Sequence, residues 1–377
     1  MRAVVTGQIG VDKGPYLKQA VASAADRGDR IGYYSIGSMM YAEAPDVRPG
    51  RILDLPISRL ASLRRAAFKD VIASTQPKAA HPHIIVNTHA TFRWHHGLFS
   101  AFDFDQLELL EPNCFICLVD NVEMVHHRLH RDHVVDATLK DCMVWREEEI
   151  LATEIMAQAL GCQRNFYILS RGRHRDTIET CVRLITRPDM RKVYPSFPMS
   201  HVMDMPEVLA EINRFRAELA KHFITFDPGD VDEKLLLDRA IDAARNGQDF
   251  ITIEPHTFGG REGAPSIRLP VREVLDIAGD VDGQIYMRDF KLIDQSDMIV
   301  SLVPELPGGV PGLSSGVERE LHHAFEHTKE VYVVWKPKKN PSPFITETAT
   351  KIFRSVDEAL GYFEAKGMFA PATLFGH

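Results

Sequence analysis

Two carboxylates in the C-terminal half of the chain could carry out chemistry at the anomeric carbon of a sugar. Asp289 precedes the apolar run Met298–Val303, and Glu320 follows that run in a segment with a helical pattern. Glycosidic bond cleavage uses one carboxylate as a nucleophile and a second acidic group to manage the proton of the leaving group. A carboxylate that enters a helix after a strand lies where open α/β sheets bind ligands. Spacing alone equally allows two solvated charges.

A glycine-containing segment in the N-terminal half could bind phosphate. The sequence Gly7-Gln8-Ile9-Gly10-Val11-Asp12-Lys13-Gly14 lies between an apolar run and an amphipathic run. A phosphate-binding loop needs backbone N–H groups, a lysine for the outer phosphates and a hydroxyl for Mg²⁺. Gly7, Gly10 and Lys13 fit this pattern, whereas Asp12 replaces an expected glycine and Gly14 an expected Ser or Thr. Lys13 could equally be a solvated loop lysine.

The elements that must position these groups alternate along the chain. Short apolar runs such as Ala3–Thr6, Cys114–Val119 and Val331–Trp335 alternate with longer amphipathic segments. This alternation predicts an α/β protein in which parallel sheets are covered by helices on both faces. The pattern restarts after Arg187-Pro188-Asp189, which predicts one domain over 1–188 and a second over 189–377.

Composition restricts the class of protein. The 377 residues suit two globular domains, and the net charge of −8 argues against a nucleic-acid partner, which would favour a basic face. No apolar run reaches the length of a membrane span. Five cysteines without a regular framework favour reduced thiols and a cytoplasmic setting. Neither the Cys114–Cys117 pair nor the histidines at 126, 127, 130 and 133 has a complete ligand pattern, so no metal site is predicted.

The first 185 or so residues resemble the archaeal-type adenylate kinases. The resemblance lies in the loop at 7–14, in Ile36-Gly37-Ser38-Met39-Met40, in the strand His83–Asn87 and in Arg128-Leu129-His130-Arg131-Asp132. Asn87 replaces an aspartate of that family, and Ile150 replaces an arginine. Because phosphoryl transfer relies on such groups, the resemblance implies a P-loop kinase-like fold that could hold ATP or another nucleotide but has lost kinase activity.

The segment from about Arg191 to Phe363 resembles the nucleoside 2-deoxyribosyltransferases, and among them the 2′-deoxynucleoside 5′-monophosphate N-glycosidases. Glu320-Leu321-His322-His323-Ala324 matches the nucleophile motif, and Asp289 stands eight residues before Asp297, as the acid/base does in that family. Tyr194 matches a tyrosine that orients the nucleophile. The resemblance implies a flavodoxin-like fold, the roles just given, and an oligomer whose sites form at subunit interfaces.

One position in this resemblance indicates a 5′-phosphate. Ser314 stands six residues before Glu320, where the transferases carry an aspartate for a free 5′-hydroxyl. A carboxylate would repel phosphate, whereas a hydroxyl and nearby backbone N–H groups would bind it. The predicted substrate-binding residues are Ser314, Ser315, Gly316, Ser200 and Arg319. Phe197 and Glu318 replace glycines of the family.

These observations together predict hydrolysis of the N-glycosidic bond of a (deoxy)nucleoside 5′-monophosphate through Glu320. The reaction needs no cofactor or metal, and the partner is a small nucleotide rather than nucleic acid or a membrane. A homo-oligomer is expected. The alternatives are a nucleoside 2-deoxyribosyltransferase, a nucleoside-monophosphate kinase, and a nucleotide sensor without chemistry.

Overall fold

The chain forms two compact units in a computed structural model that describes residues 1–48, 50–75, 81–94, 97–133, 135–172, 176–199, 202–254 and 266–369. The first unit contains Met1–Thr186 and Asp230–Gly283, and the second contains Arg187–Gly229 and Gln284–His377. The change at Thr186 lies close to the sequence-based boundary at 188. Segment 230–283 groups with the first unit, whereas the sequence pattern places it in a C-terminal domain.

The strands and helices alternate along most of the chain. The strands are β1 (Arg2–Thr6), β2 (Ile31–Ser35), β3 (His83–Asn87), β4 (Thr91–Trp94), β5 (Gly97–Ser100), β6 (Cys114–Val119), β7 (Phe166–Ser170), β8 (Lys192–Ser196), β9 (Ile224–Thr225), β10 (Phe250–Ile253), β11 (Ile267–Pro270), β12 (Met298–Val303), β13 (Glu305–Leu306), β14 (Val310–Pro311), β15 (Glu330–Trp335) and β16 (Lys351–Phe353). The helices are α1 (Lys13–Asp26), α2 (Ile36–Glu43), α3 (Ile57–Ser74), α4 (Phe104–Leu110), α5 (Val122–Arg128), α6 (Leu139–Ala159), α7 (Asp176–Thr186), α8 (Pro206–His222), α9 (Lys234–Arg245), α10 (Val271–Asp276), α11 (Ala278–Asp294), α12 (Ser315–Glu326), α13 (Pro343–Thr346) and α14 (Val356–Ala365).

The first unit is organised around a parallel sheet with strand order β2-β3-β1-β6-β7. Its strands are apolar runs buried on both faces, as parallel strands covered by helices must be. On one face, Val4 and Phe115 of the sheet pack with Phe68 of α3 and Met156 of α6. The central strand β1 ends at Thr6, and the glycine-containing loop that starts at Gly7 therefore lies at the carboxyl edge of this sheet.

The second unit has its own parallel sheet, with strand order β16-β15-β12-β8-β9. Numbered within the unit and read from the β9 edge, this order is 2-1-3-4-5, which is a doubly wound arrangement of the flavodoxin type. The connections reverse direction between β8 and β12. Ligands of such sheets bind at the carboxyl ends of the strands that flank this reversal.

The two faces of the second sheet differ in polarity near that point. Val193 and Val300 face an apolar core that also contains Phe215 of α8 and Phe363 of α14. Side chains alternate between the faces of a strand, so Tyr194 and Ser196 both lie on the opposite face. Helix α12 packs against β12 and β15.

The α/β prediction with two parallel sheets is confirmed, but one predicted strand pairs unexpectedly. Phe250–Ile253 forms β10, which pairs antiparallel with β11 and not with the parallel sheet of the second unit. A short apolar run carries no signal for its partner, which explains the difference.

A buried ion pair joins the returning segment to the rest of the first unit. Arg146 of α6 and Glu233 approach to 2.5 Å, with side chains 2% and 0% exposed. Glu233 also accepts a hydrogen bond from the backbone N–H of Val122, at 3.1 Å. These contacts give a physical reason why 230–283 groups with the N-terminal residues.

The cysteines all lie in the first unit, where they are buried and form no disulfide: Cys114, Cys117, Cys142, Cys162 and Cys181. Burial raises the pKa of Cys117, Cys142 and Cys181 to about 12. No helix within the described residues combines the length and apolar character that crossing a bilayer requires.

Candidate functional site

Glu320 is held at the carboxyl edge of the second sheet by two hydroxyl groups. The Tyr194 hydroxyl donates to Glu320 Oε1 at 3.0 Å, and the Ser196 hydroxyl donates to Oε2 at 2.6 Å. Both donors are fully buried. With one hydroxyl on each oxygen, the carboxyl group of Glu320 has a fixed orientation.

Two local features of sequence produce this arrangement. Tyr194 and Ser196 are two residues apart in β8, so their side chains lie on the same face. Helix α12 begins at Ser315 because the Ser314 side chain caps it, accepting from the backbone N–H of Val317 at 3.2 Å. Sequence reasoning named Tyr194 and Glu320 but missed Ser196, although period-two alternation from Tyr194 could have found it.

Asp289 lies close enough to influence Glu320 electrostatically. Its side chain in α11 is 9% exposed. Burial, followed by the charge of Asp289, raises the pKa of Glu320 to about 8. Burial, with the charges of Asp289 and Glu320, also raises the pKa of Tyr194 well above its usual value. The three predicted catalytic side chains therefore share one water-poor environment.

Ser301 adds a polar group to the same face of the sheet. It is fully buried in β12 and pairs in register with Ser196. Its hydroxyl has no hydrogen-bond partner among the described residues. Because buried hydroxyls are normally satisfied, this group is an exception on the sheet face that carries Tyr194 and Ser196. Sequence reasoning missed Ser301 as well, since a serine inside an apolar strand gives no pattern.

The predicted phosphate-binding residues lie at the start of α12, with one exception. Ser315 and Gly316 are exposed in the first turn, where backbone N–H groups lack partners within the helix. Arg319 is exposed, and its guanidinium donates to the Tyr286 hydroxyl at 3.3 Å. Glu318 is also exposed. Ser200 lies outside the described residues.

In the first unit, Lys13 is buried against the glycine-containing loop. Its side chain is 6% exposed, and its ammonium donates to the carbonyl oxygen of Gly7 at 2.6 Å. The nearer ring nitrogen of His89 lies 3.1 Å away. Burial lowers the pKa of Lys13 to about 8. The alternative that Lys13 is a solvated loop lysine is therefore wrong.

Glu149 of α6 organises the other side of this loop and was not identified from sequence. It accepts hydrogen bonds from the backbone N–H groups of Gly7, Ala90 and Thr91 at 3.1, 2.8 and 2.8 Å. The carboxylate thus occupies one loop N–H that a phosphate would otherwise use. Its charge also opposes the effect of burial on Lys13.

Two arginines bind the carbonyl side of the loop. Arg128 donates to the Gly10 carbonyl oxygen at 3.1 Å, and Arg171 donates to that of Val11 at 2.7 Å. Asp12 adopts a left-handed backbone conformation with φ 62°, and its carboxylate lies 3.5 Å from Arg171. The Arg171 guanidinium therefore offsets part of the negative charge of Asp12, which also lines the cavity beside the loop.

A cavity of about 370 Å³ lies beside this loop. It is lined by Lys13 and the loop, by the start of α2 and by Arg64, Asn87 and His89. Asn87 donates to the Tyr33 hydroxyl at 3.0 Å. The cavity combines an apolar floor with two buried cations, an arrangement that suits a small anionic ligand.

Comparisons with known proteins give a family match and matches to solved structures. A family model described as an AAA domain matches residues 6–141. Among solved structures, a shikimate kinase from Bacteroides thetaiotaomicron is 12% identical, with 49% of this chain and 95% of that chain covered and a TM-score of 0.32. A gluconokinase from Sinorhizobium meliloti 1021 is 11% identical, with 48% and 87% covered and a TM-score of 0.30. No curated protein matches the chain significantly.

The first unit is an α/β unit with a glycine-containing loop after the central strand of its parallel sheet, and residues 6–141 match the AAA-domain model. The family match, the position of the loop after β1 and the buried Lys13 all indicate nucleotide binding. The family model ends at residue 141, so the function of the second unit must be argued from its own geometry.

Proposed function

We propose that the second unit hydrolyses the N-glycosidic bond of a (deoxy)nucleoside 5′-monophosphate and that Glu320 is the nucleophile. The observation that carries this proposal is the fixed Glu320 carboxyl, bound by Tyr194 and Ser196 and coupled electrostatically to Asp289. A partly buried nucleophilic carboxylate with a second acidic group beside it is the arrangement that retaining glycosidic cleavage requires.

The reaction follows from these roles in two steps. The Glu320 carboxylate forms a bond to C1′ while the bond from C1′ to the base nitrogen breaks, and Asp289 supplies the proton that the departing base takes up. Water then attacks C1′ of the glycosyl ester, and Asp289 accepts the proton of that water as the Glu320 carboxylate is released. The hydroxyls of Tyr194 and Ser196 keep the nucleophilic oxygen directed at C1′ through both steps.

The start of α12 is the proposed binding site for the 5′-phosphate. Ser314 Oγ accepts a hydrogen bond from Val317, so its own proton remains available to donate to a phosphate oxygen. Helix N–H groups at Ser315 and Gly316, together with the positive end of the helix dipole, favour an anion. Arg319 and Ser200 are proposed as further phosphate-binding residues.

The test is release of free base from purified protein. A chromatographic screen of nucleoside 5′-monophosphates, with and without ATP, identifies the base and sugar. Glu320→Gln should lower the rate of release roughly 10³-fold or more. Glu326→Gln, an exposed glutamate at the end of the same helix, serves as the matched control. Equal activity of Glu320→Gln and wild type would contradict the proposal.

Two further measurements separate the related enzyme classes. The first is the rate at which an added free base is incorporated into nucleotide, compared with the rate at which free sugar phosphate is formed. Faster incorporation would favour deoxyribosyl transfer over hydrolysis. A protein that releases no base but binds nucleotide would favour a sensor without chemistry.

For the first unit we propose nucleotide binding that regulates or positions the second activity. Phosphoryl transfer is a second candidate, favoured by the cavity that Lys13 and the start of α2 line together. Formation of ADP from ATP and AMP tests it. Because Gly14 offers no hydroxyl for Mg²⁺, we expect ATP to bind without ADP being formed.

A further inference from the structure

Helices α11 and α12, which carry Asp289 and Glu320, also bring together a second set of side chains. These are Asp294, at the end of α11, and His323 and His327, on and just after α12. One ligand atom from each residue lies within 4.8 Å of the other two. We propose that these three residues bind a divalent transition-metal ion, and Zn²⁺ in particular.

The two imidazoles are oriented as metal ligands. His323 Nε2 and Asp294 Oδ1 lie 2.8 Å apart, a separation at which both atoms can bind one metal ion. His327 Nδ1 donates to the carbonyl oxygen of His323 at 2.9 Å. That bond leaves Nε2 of His327 as the nitrogen with a free lone pair. Metal-binding histidines commonly use the second ring nitrogen in this way.

The helix ends favour a cation at this place. Helices α11 and α12 both end here, and the last carbonyl groups of a helix carry partial negative charge. Asp294 adds a full negative charge. His322 takes no part, since it pairs with Glu326 at 3.2 Å.

The ligands are held in position by their neighbours. The Phe290 ring stacks on the His323 ring with centroids 4.3 Å apart and planes 12° apart. The Lys329 ammonium donates to the carbonyl oxygens of Asp294 and Ser296 at 2.7 and 2.6 Å, which fixes the end of α11 beside α12. These contacts keep the two helix ends together, and the side chains of the three ligands would rotate to bring their atoms to metal-binding distance.

The donor set selects the class of metal. Two imidazoles and one carboxylate suit Zn²⁺ and its neighbours, whereas Mg²⁺ and Ca²⁺ prefer oxygen ligands only. Water completes the coordination. Within the described chain, the hydrogen-bond partners of Glu320 are Tyr194 and Ser196 and not these three residues. The ion would thus link α11 to α12 as a structural clip, independently of the proposed reaction.

Titration of the metal-free full-length protein with Zn²⁺, followed by calorimetry, tests the proposal. We expect one Zn²⁺ per chain and a higher melting temperature for the second unit when the ion is bound. His327→Ala and Asp294→Asn should each weaken binding roughly 10-fold or more and remove the thermal shift. His322→Ala, an exposed histidine on the same helix, should bind as the wild type does.

Three results would overturn the proposal. The first is no measurable binding of Zn²⁺, and the second is equal binding by wild type and His327→Ala. The third is loss of binding in His130→Ala, because the nitrogens of His126 and His130 lie 3.0 Å apart in the first unit and would then be the ligands. Because His327 is exposed and follows the helix, its substitution is not expected to prevent folding.

Discussion

Ionisation of Glu320 affects both the proposed reaction and the free energy of unfolding. Its pKa is about 8 in the folded chain against an ordinary value of 4.5, so the folded state binds more protons than the unfolded state between these two values. Stability contributed by the protonated form is therefore lost as pH rises toward 8. The carboxylate that the reaction needs is the form that destabilises the fold.

Glu320→Gln should remove this pH dependence. We expect similar free energies of unfolding for wild type and variant near pH 5, and an advantage of about 1–3 kcal/mol for the variant above pH 8. Denaturant unfolding at the two pH values measures the difference. A constant difference across this range would show that Glu320 does not titrate as proposed.

Lys13 is a second buried charge with the opposite sign. Its pKa of about 8, lowered by burial from 10.5, means that the folded state loses its proton before the unfolded state does. The cost of burying the ammonium is fully present below about pH 8, and stability rises as pH increases from there toward 10.5.

Lys13→Met should therefore affect ATP binding and the free energy of unfolding in different ways. We expect loss of ATP binding together with an unchanged or higher free energy of unfolding at pH 7, by up to about 1–3 kcal/mol. Calorimetric ATP titration and denaturant unfolding measure the two effects. Lys18→Met, at an exposed position on α1, is the control and should change neither. A strong loss of stability in Lys13→Met would indicate that its bond to Gly7 outweighs its burial.

The individual residues differed in how far sequence could predict them. Glu320, Asp289 and Tyr194 were predicted from a resemblance, and in the structure they lie in one environment. Ser196 could have been inferred from alternation along β8, whereas Ser301 lacks any pattern, because only the register of β12 with β8 brings it beside Ser196. Glu149 was missed for the same reason, since its partners are backbone groups distant in sequence.

At the scale of elements, the start of α12 combines a structural and a proposed binding role in Ser314. Its side chain caps the helix, and an aspartate would cap it equally well. Ser314→Asp should therefore preserve stability while repelling a 5′-phosphate. We expect the ratio of kcat/KM for nucleoside over nucleoside 5′-monophosphate to rise roughly 10²-fold.

Ser314→Ala is the matched comparison for this prediction. It removes both the cap and the hydroxyl without adding charge, so the free energy of unfolding should fall by about 1 kcal/mol. The kcat/KM values for nucleoside and nucleoside 5′-monophosphate should fall by more similar factors. If Ser314→Asp retains full preference for the monophosphate, Ser314 does not contact the phosphate.

The helices and strands of the sheets were predictable because burial and periodicity repeat within each element. Gly-rich turns and apolar runs predicted β1, β6, β12 and β15. The hairpin of β10 with β11 was not predicted as such, because its pairing depends on contacts that a single apolar run does not specify.

At the scale of the whole molecule, the Arg146–Glu233 pair joins residues far apart in the chain. Both side chains are buried, so removing one partner leaves an uncompensated charge. Arg146→Met or Glu233→Leu should each cost about 3–5 kcal/mol, and the double variant much less than their sum. Denaturant unfolding of the first unit in the wild type, the two single variants and the double variant measures these free-energy changes. Additive effects would argue against a direct pairing.

The exposed pair Arg214–Asp357 offers a control for this cycle. Its side chains are 62% and 76% exposed, so its removal should have little effect on stability. The buried pair Arg146–Glu233 also explains why the grouping of 230–283 with the first unit could not be predicted from sequence. Neither residue is unusual in its local sequence, and only the fold brings them together.

The burial of the thiols means that cysteine alkylation can measure how often the first unit opens. Every cysteine is buried in the first unit, so an alkylating reagent can react only when that unit opens locally or globally. Labelling followed by mass spectrometry should slow when ATP is present and be unaffected by a nucleoside monophosphate that occupies only the second unit. Fully unfolded protein, which takes up all five labels, calibrates the scale.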